Sequence, residues 1–355
     1  MTNSAINGTN KQKQRAVVIC PGRGTYNKDE LGYFHRFHQG RNNILEVIDQ
    51  HRNKQGQVMV SELDQMANYN MRLHTSGENA SALIYACSKG DFQAIDTDEY
   101  DIVAVTGNSM GWYIALALAG ALDEQGAIAL INTMGSMMKK GVIGGQIIYP
   151  IVDNDWRENT AKIAHVNDVM QAVNTLDDCE VHTSIKLGGF IVIGGNKAGL
   201  KQLEQRLENI DDRYPMNLFN HAAFHTPLLT ETSKQAKQLL NASLFNTPKI
   251  PLIDGQGKIW QSYSTDTQAL YDYTLGRQVT DYYDFTKSIE VAIKEFAPDK
   301  LIILGPGTTL GGATGQSLIK HNWQNMSCKQ DFISQQKDKP FVLAMGIAEQ
   351  RALVI

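Results

Sequence analysis

The sequence predicts an α/β protein in which a mainly parallel sheet, covered by helices, carries an inserted small unit of ferredoxin-like order. Two observations predict it. Short apolar, strand-like runs alternate with helical patterns over most of the 355 residues, as parallel sheets require. After Gly141 the texture changes, and the runs follow one another as β-α-β-β-α. A third observation locates a corner in the large sheet: at Gly107-Asn108-Ser109-Met110-Gly111 a strand passes into a helix through a G-x-S-x-G turn.

In chain order, Met1 to Gln14 is polar and lacks the apolar segment of a signal peptide, so it reads as a disordered tail. Arg15-Ala16-Val17-Val18-Ile19-Cys20 is a buried strand, stopped by Pro21-Gly22-Arg23-Gly24. Helical patterns follow over 33–55 and 78–88. Ile102 to Thr106 is the strand before the corner and Trp112 to Leu122 the helix after it. Strand-like runs at 146–152, 181–185 and 190–193, with helical stretches at 156–176 and 196–207, form the inserted unit. Thr226-Pro227 then opens a helix, with threonine as N-cap and proline at its first position. Buried strands at 251–254 and 301–304 return to the large sheet, the second ending at Gly305-Pro306-Gly307. The expected division is a tail at 1–14, a large domain at 15–142 and 206–355, and a small subdomain at 143–205.

Composition narrows the function classes. A formal net charge of -4 lacks the basic excess that nucleic-acid binding requires. Cys20, Cys87, Cys179 and Cys328 are far apart with no C-x-x-C pair, so they read as isolated thiols in a reducing cytoplasm and no metal site is expected. No apolar run approaches the roughly 20 residues of a membrane-spanning helix. A soluble cytoplasmic protein without a membrane partner is the expectation.

The G-x-S-x-G corner points to chemistry. Glycine on both sides allows a turn so tight that a side chain would collide with the neighbouring strand or helix. Ser109 is thereby lifted clear of the sheet at the positive end of a helix, and the N–H of Met110 is free to stabilise an oxyanion. A serine hydroxyl needs a base within hydrogen-bonding reach. Of nine histidines, His225 stands immediately before a helix start; His221, four residues earlier, competes on sequence grounds alone.

At these residues the chain resembles a known family. Gly107-Asn108-Ser109-Met110-Gly111-Trp112-Tyr113 is similar to the G-H-S-x-G-E-Y segment of malonyl-CoA:acyl-carrier-protein transacylases. Pro21-Gly22-Arg23-Gly24-Thr25 resembles their P-G-Q-G-S, and Ala223-Phe224-His225-Thr226-Pro227-Leu228-Leu229 their A-F-H-S-x-L-M. Arg277-Gln278, Phe285-Thr286-Lys287-Ser288-Ile289 and Ile303-Leu304-Gly305-Pro306-Gly307-Thr308-Thr309-Leu310 resemble the later R-Q, W-x-x-S-V and E-x-G-P-G-x-x-L segments. The motifs keep the family's order over roughly residues 16–315, and together are far more specific than any one alone.

The resemblance implies an α/β-hydrolase-like core with a ferredoxin-like subdomain, and ping-pong acyl transfer. Ser109 would attack the thioester of an acyl-CoA, with His225 accepting its proton. The phosphopantetheine thiol of an acyl carrier protein would then take the acyl group, with no permanently bound cofactor. It further implies an oxyanion hole from the backbone of Met110 and Arg23. A main-chain carbonyl near Gln278, instead of a carboxylate, would hold the histidine.

The departures concern the acyl group. Family members taking malonyl units use an arginine in the helix after the corner, where Met134 stands here; no arginine occurs between Arg72 and Arg157. A thioether cannot compensate a carboxylate, so a neutral acyl group such as acetyl is expected. Asn108 and Trp112 replace a histidine and a glutamate and are expected, with Met134, around the acyl pocket. Arg23 replaces a glutamine; it is expected toward solvent or the CoA phosphates, with a role as the missing carboxylate partner as the alternative. A thioesterase would use an acid between serine and histidine, for which Asp153, Asp155 and Asp212 are available. A non-catalytic scaffold in a larger assembly and a supply enzyme for polyketide or polyunsaturated fatty acid synthesis are the other readings. Lys139-Lys140 is a candidate docking patch for an acidic carrier.

Overall fold

A computed structural model describes residues 12–139 and 141–355. Its large sheet runs in the order β11-β10-β1-β2-β7-β8. The strands are β1 (Gln14–Cys20), β2 (Tyr100–Gly107), β7 (Leu252–Ile253), β8 (Ile259–Trp260), β10 (Lys300–Ile303) and β11 (Val342–Ala344). Every pairing from β11 to β7 is parallel, and β8 closes the edge antiparallel to β7. Helices cover both faces of a parallel sheet, which is why Val17, Val18 and Ile19 read as an unbroken apolar run and are fully buried. Residues 1–11 of the expected tail lie outside the described residues, and its last residue, Gln14, already pairs in register with Tyr100.

The inserted unit has its own sheet. It contains β3 (Gly145–Pro150), β4 (Val181–Leu187), β5 (Phe190–Gly195) and β6 (Met216–Asn217), in the order β6-β3-β5-β4. With helices Thr160–Asn174 and Lys197–Arg206 the chain runs β-α-β-β-α-β, the ferredoxin-like order. Ile147, Tyr149, Val166, Val173, Val181, Ile193 and Leu203 form a separate core. The boundary expected at 205 needs correction: Met216–Asn217 pairs antiparallel with Ile147 and Ile148, so the small sheet is completed beyond it. A two-residue strand of the returning chain, β9 (Tyr283–Asp284), pairs with β4 and ties the units together.

Local signals explain other differences. The helical pattern over 33–55 divides into Tyr33–Phe37 and Asn42–Lys54, because Gly40 takes a left-handed φ of 87° between them. The helix expected from 156 starts at Thr160, where Asn159 caps it by accepting from the N–H of Lys162. Thr226 precedes a short 3-10 turn, Pro227–Leu229, and its hydroxyl donates to the carbonyl of Ala223 instead of capping.

The Gly305-Pro306-Gly307 loop is a packing device. A Cβ on Gly307 would lie 2.5 Å from the carbonyl oxygen of Thr25, so the loop can press against the loop after β1 only as glycine. Gly305 N–H donates to buried Asp91, which also accepts from Tyr33 and from Arg351 at 2.6 Å. This buried network fastens the short C-terminal helix, Ala348–Arg351, to the helices that carry Tyr33 and Asp91. Both loops that matter next, after β1 and after β2, leave the carboxyl ends of adjacent central strands.

Candidate active site

Sterics build the corner at Ser109. A Cβ on Gly107 would lie 2.4 Å from the backbone of Gly111, and one on Gly111 would lie 2.3 Å from the carbonyl oxygen of Cys20. Ser109 itself is driven to φ 56°, a left-handed conformation costing roughly 1–2 kcal/mol for a non-glycine residue. Hydrogen bonds hold it there: Asn108 N–H to Cys20 carbonyl at 3.1 Å, Gly111 N–H to Asn108 carbonyl at 2.8 Å, and Tyr283 hydroxyl to Gly107 carbonyl at 2.6 Å.

The Ser109 Oγ stands 2.7 Å from His225 Nε2. His225 Nδ1 lies 2.6 Å from the main-chain carbonyl of Gln278, which only accepts, so Nδ1 carries the proton. Nε2 is then the lone-pair nitrogen facing the serine hydroxyl. The Gln278 carbonyl is free for this task because its helix, Gln278–Thr280, stops before any i+4 N–H can reach it. The Gln278 side chain bonds the elbow too, donating to the Ser109 carbonyl at 3.2 Å and accepting from the Tyr113 hydroxyl at 2.7 Å. His225 is buried, and desolvation pushes its pKa down to about 4 against the raising effect of the Gln278 carbonyl. The imidazole is therefore neutral at pH 7, the state a general base requires.

Met110 opens the Gly111–Leu118 helix, and Arg23 sits in the loop after β1; among the described residues the backbone N–H of neither finds an acceptor. Both residues line the cleft together with Ser109, and unengaged N–H groups, one of them at a helix N-terminus, are the donors an oxyanion needs.

The cleft has a cavity volume of about 50 Å³ and is lined by Met110, Met134, Met137, Met138, Phe224 and Val279, together with Arg23, Ser109 and His225. Two expected pocket residues are absent from it. Trp112 is wholly buried beneath the elbow, donating to the Thr274 hydroxyl at 3.0 Å, because its helix is apolar on every side and turns it into the core. Asn108 is buried against the loop after β1, where its Nδ2 would lie 3.4 Å from a Cβ on Gly22. Arg23 also departs from the expected solvent orientation. It is half-buried, with Nη2 donating to the carbonyls of Thr75 and Asn220 and its guanidinium 5.3 Å from the centroid of the Phe224 ring.

His221 does not reach the serine; its Nδ1 lies 2.8 Å from Gln146 Oε1, and burial pushes its pKa down to about 3. Asp153 is occupied by the backbone N–H groups of Asp155 and Arg157, and the carboxylate position behind His225 is filled by the Gln278 carbonyl. Lys139 pairs with Glu78, while Lys140 lies outside the described residues. No helix among the described residues is long and apolar enough to cross a membrane. Sequence reasoning missed Tyr113 and Tyr283 as supports. Tyr113 stands within the elbow segment, whereas nothing local marks Tyr283.

No family model matches the chain. It is 27% identical over 241 residues to the malonyl CoA-acyl carrier protein transacylase of Haemophilus influenzae, covering 66% of this chain and 70% of that protein. It is 25% identical over 211 residues to the polyketide biosynthesis malonyl CoA-acyl carrier protein transacylase of Bacillus subtilis, covering 59% of this chain and 67% of that protein. A phenolphthiocerol/phthiocerol polyketide synthase polypeptide of Mycobacterium tuberculosis is 25% identical over 230 residues, which are 64% of this chain but only 14% of that protein. The fold is that of the malonyl-CoA:ACP transacylase of Synechocystis sp. PCC 6803, with a TM-score of 0.70, 18% identity, and 96% and 100% of the two chains covered. A TM-score of 0.67 at 18% identity, covering 95% and 97%, relates it to a malonyl-transacylase solved with its type II polyketide acyl-carrier protein. Sequence relatives, fold and motif order agree in what the chain is similar to: malonyl-CoA:acyl-carrier-protein transacylases.

Proposed function

We propose that this protein moves a small acyl group from coenzyme A to an acyl carrier protein through an ester on Ser109. The observation that carries the reading is the relay from Ser109 Oγ through neutral His225 to the Gln278 carbonyl. Ser109 Oγ attacks the thioester carbonyl while His225 Nε2 takes its proton, and the N–H groups of Met110 and Arg23 receive the oxyanion. The C–S bond then breaks, and His225 returns the proton to the departing CoA sulfur. The carrier's phosphopantetheine thiol repeats the sequence in reverse, giving its proton to His225, which restores the Ser109 hydroxyl. The chemistry needs no bound cofactor.

The relatives are named for malonyl transfer, and the acyl group proposed is malonyl. A second reading, a neutral group such as acetyl, is favoured by the four methionines of the cleft, Met134 among them. Incubation with malonyl-CoA and a holo-carrier protein tests the transfer. Acyl carrier should accumulate stoichiometrically with free CoA. Release of free acid at the same rate without a carrier would make the protein a thioesterase instead.

A further inference from the structure

Among the described residues lining the cleft, Arg23 alone has a buried side-chain donor without an acceptor, its Nε–H. Leaving such a donor unpaired costs roughly 1–3 kcal/mol, more for a charged group. Of its five N–H bonds those on Nη2 anchor the guanidinium between Thr75 and Asn220, and among the described residues no hydrogen bond engages Nε or Nη1. The other end of the fork borders the wall that carries Met134. A Cβ on Gly77 would lie 2.4 Å from the carbonyl of Gly135, the residue after Met134, and 3.6 Å from Arg23 Nη1.

The charge is uncompensated. Among the described residues no carboxylate comes within 4.0 Å of Arg23, and Glu78, nearby on the rim, is held by Gln57 and Lys139. His221, the adjoining ionisable group, is neutral. Burial lowers the guanidinium only to about 10, so it stays a cation at neutral pH.

We propose that the Arg23 side chain binds the free carboxylate of a dicarboxylic acyl group carried by Ser109, in the place where Met134 offers no charge. The inference rests on the acyl-enzyme reading and names the group that would select its substrate. One residue of the loop after β1 would thus serve the acyl group twice: its backbone N–H at the carbonyl and its guanidinium at the far carboxylate. With Nη2 engaged by two carbonyls, a remaining N–H is left to take one carboxylate oxygen in a charge-assisted bond, and the fixed Nη2 contacts hold it in place.

The test is single-turnover acylation of Ser109 by malonyl-CoA and by its methyl ester, an uncharged thioester of nearly the same length, in the unmodified chain and in Arg23→Gln and Arg23→Lys. The unmodified chain should favour malonyl-CoA by about a hundredfold, the scale of hydrogen bonds to a charged group. Arg23→Gln should bring the ratio to within a few-fold of one, and Arg23→Lys should leave it between the two. If Arg23 only braced Thr75 against Asn220, its loss would slow both thioesters alike and leave the ratio unchanged, which would overturn the proposal. A ratio near one in the unmodified chain, which depends on no variant folding, would overturn it as well while leaving the acyl-enzyme intact. Failure of every thioester to acylate Ser109 would instead sink the acyl-enzyme reading, and this role with it.

Discussion

Lowering the pH should leave acylation of Ser109 almost unchanged through the range in which an ordinary histidine titrates. The neutral imidazole is the reactive form, so the rate rises with pH through the pKa of His225 and is flat above it. Burial holds that pKa at about 4, far below the ordinary 6.5. At about pH 5.5 a histidine of ordinary pKa would be roughly one-tenth neutral and acylation about tenfold slower. A group at about 4 would still be almost wholly neutral. The assay is rapid-quench acylation under kcat/KM conditions from about pH 4 to 8, read by intact mass, and His225→Ala should lack the acid limb. An inflection near 6.5 would refute the reasoning, because it would mean that water reaches the imidazole before substrate does.

Other expectations follow from the same geometry. His225→Ala should slow acylation by roughly two to four orders of magnitude, and His221→Ala far less, in the same quench assay; the reverse ranking would assign the base to His221. Gly111→Ala forces a Cβ to 2.3 Å from the Cys20 carbonyl, so thermal unfolding should show a loss of about 1–3 kcal/mol or more, and acylation should fall with it. Arg351→Met removes the guanidinium from buried Asp91 and should cost about 3 kcal/mol in urea unfolding while leaving the cleft residues in place.

The sequence carried the site where sterics or chain order dictated it. Only glycine fits at positions 107 and 111, so the corner, and with it Ser109, was visible in five residues. The central strands were visible because both faces are covered and their apolar runs are unbroken. Side-chain direction was harder to read. Asn108 and Trp112 are near Ser109 along the chain, but Asn108 lies in the turn, pressed against the loop after β1, and Trp112 stands on a helix that is apolar on every side and sinks into the core. Arg23 was misjudged for a related reason: its contacts, Thr75 and Asn220, lie 52 and 197 residues away. The two-residue strands β6 and β9 are too short for any periodicity, and their pairing with β3 and β4 follows from the tertiary path alone. The Asp91–Arg351 pair spans 260 residues and left no local trace.

Intact-protein and peptide mass spectrometry after incubation with malonyl-CoA tests the central claim most directly. The account predicts one acyl adduct, mapped to Ser109, absent in Ser109→Ala, and discharged when a holo-carrier protein is added. No adduct on a folded protein, or an adduct of equal yield in Ser109→Ala, would contradict it.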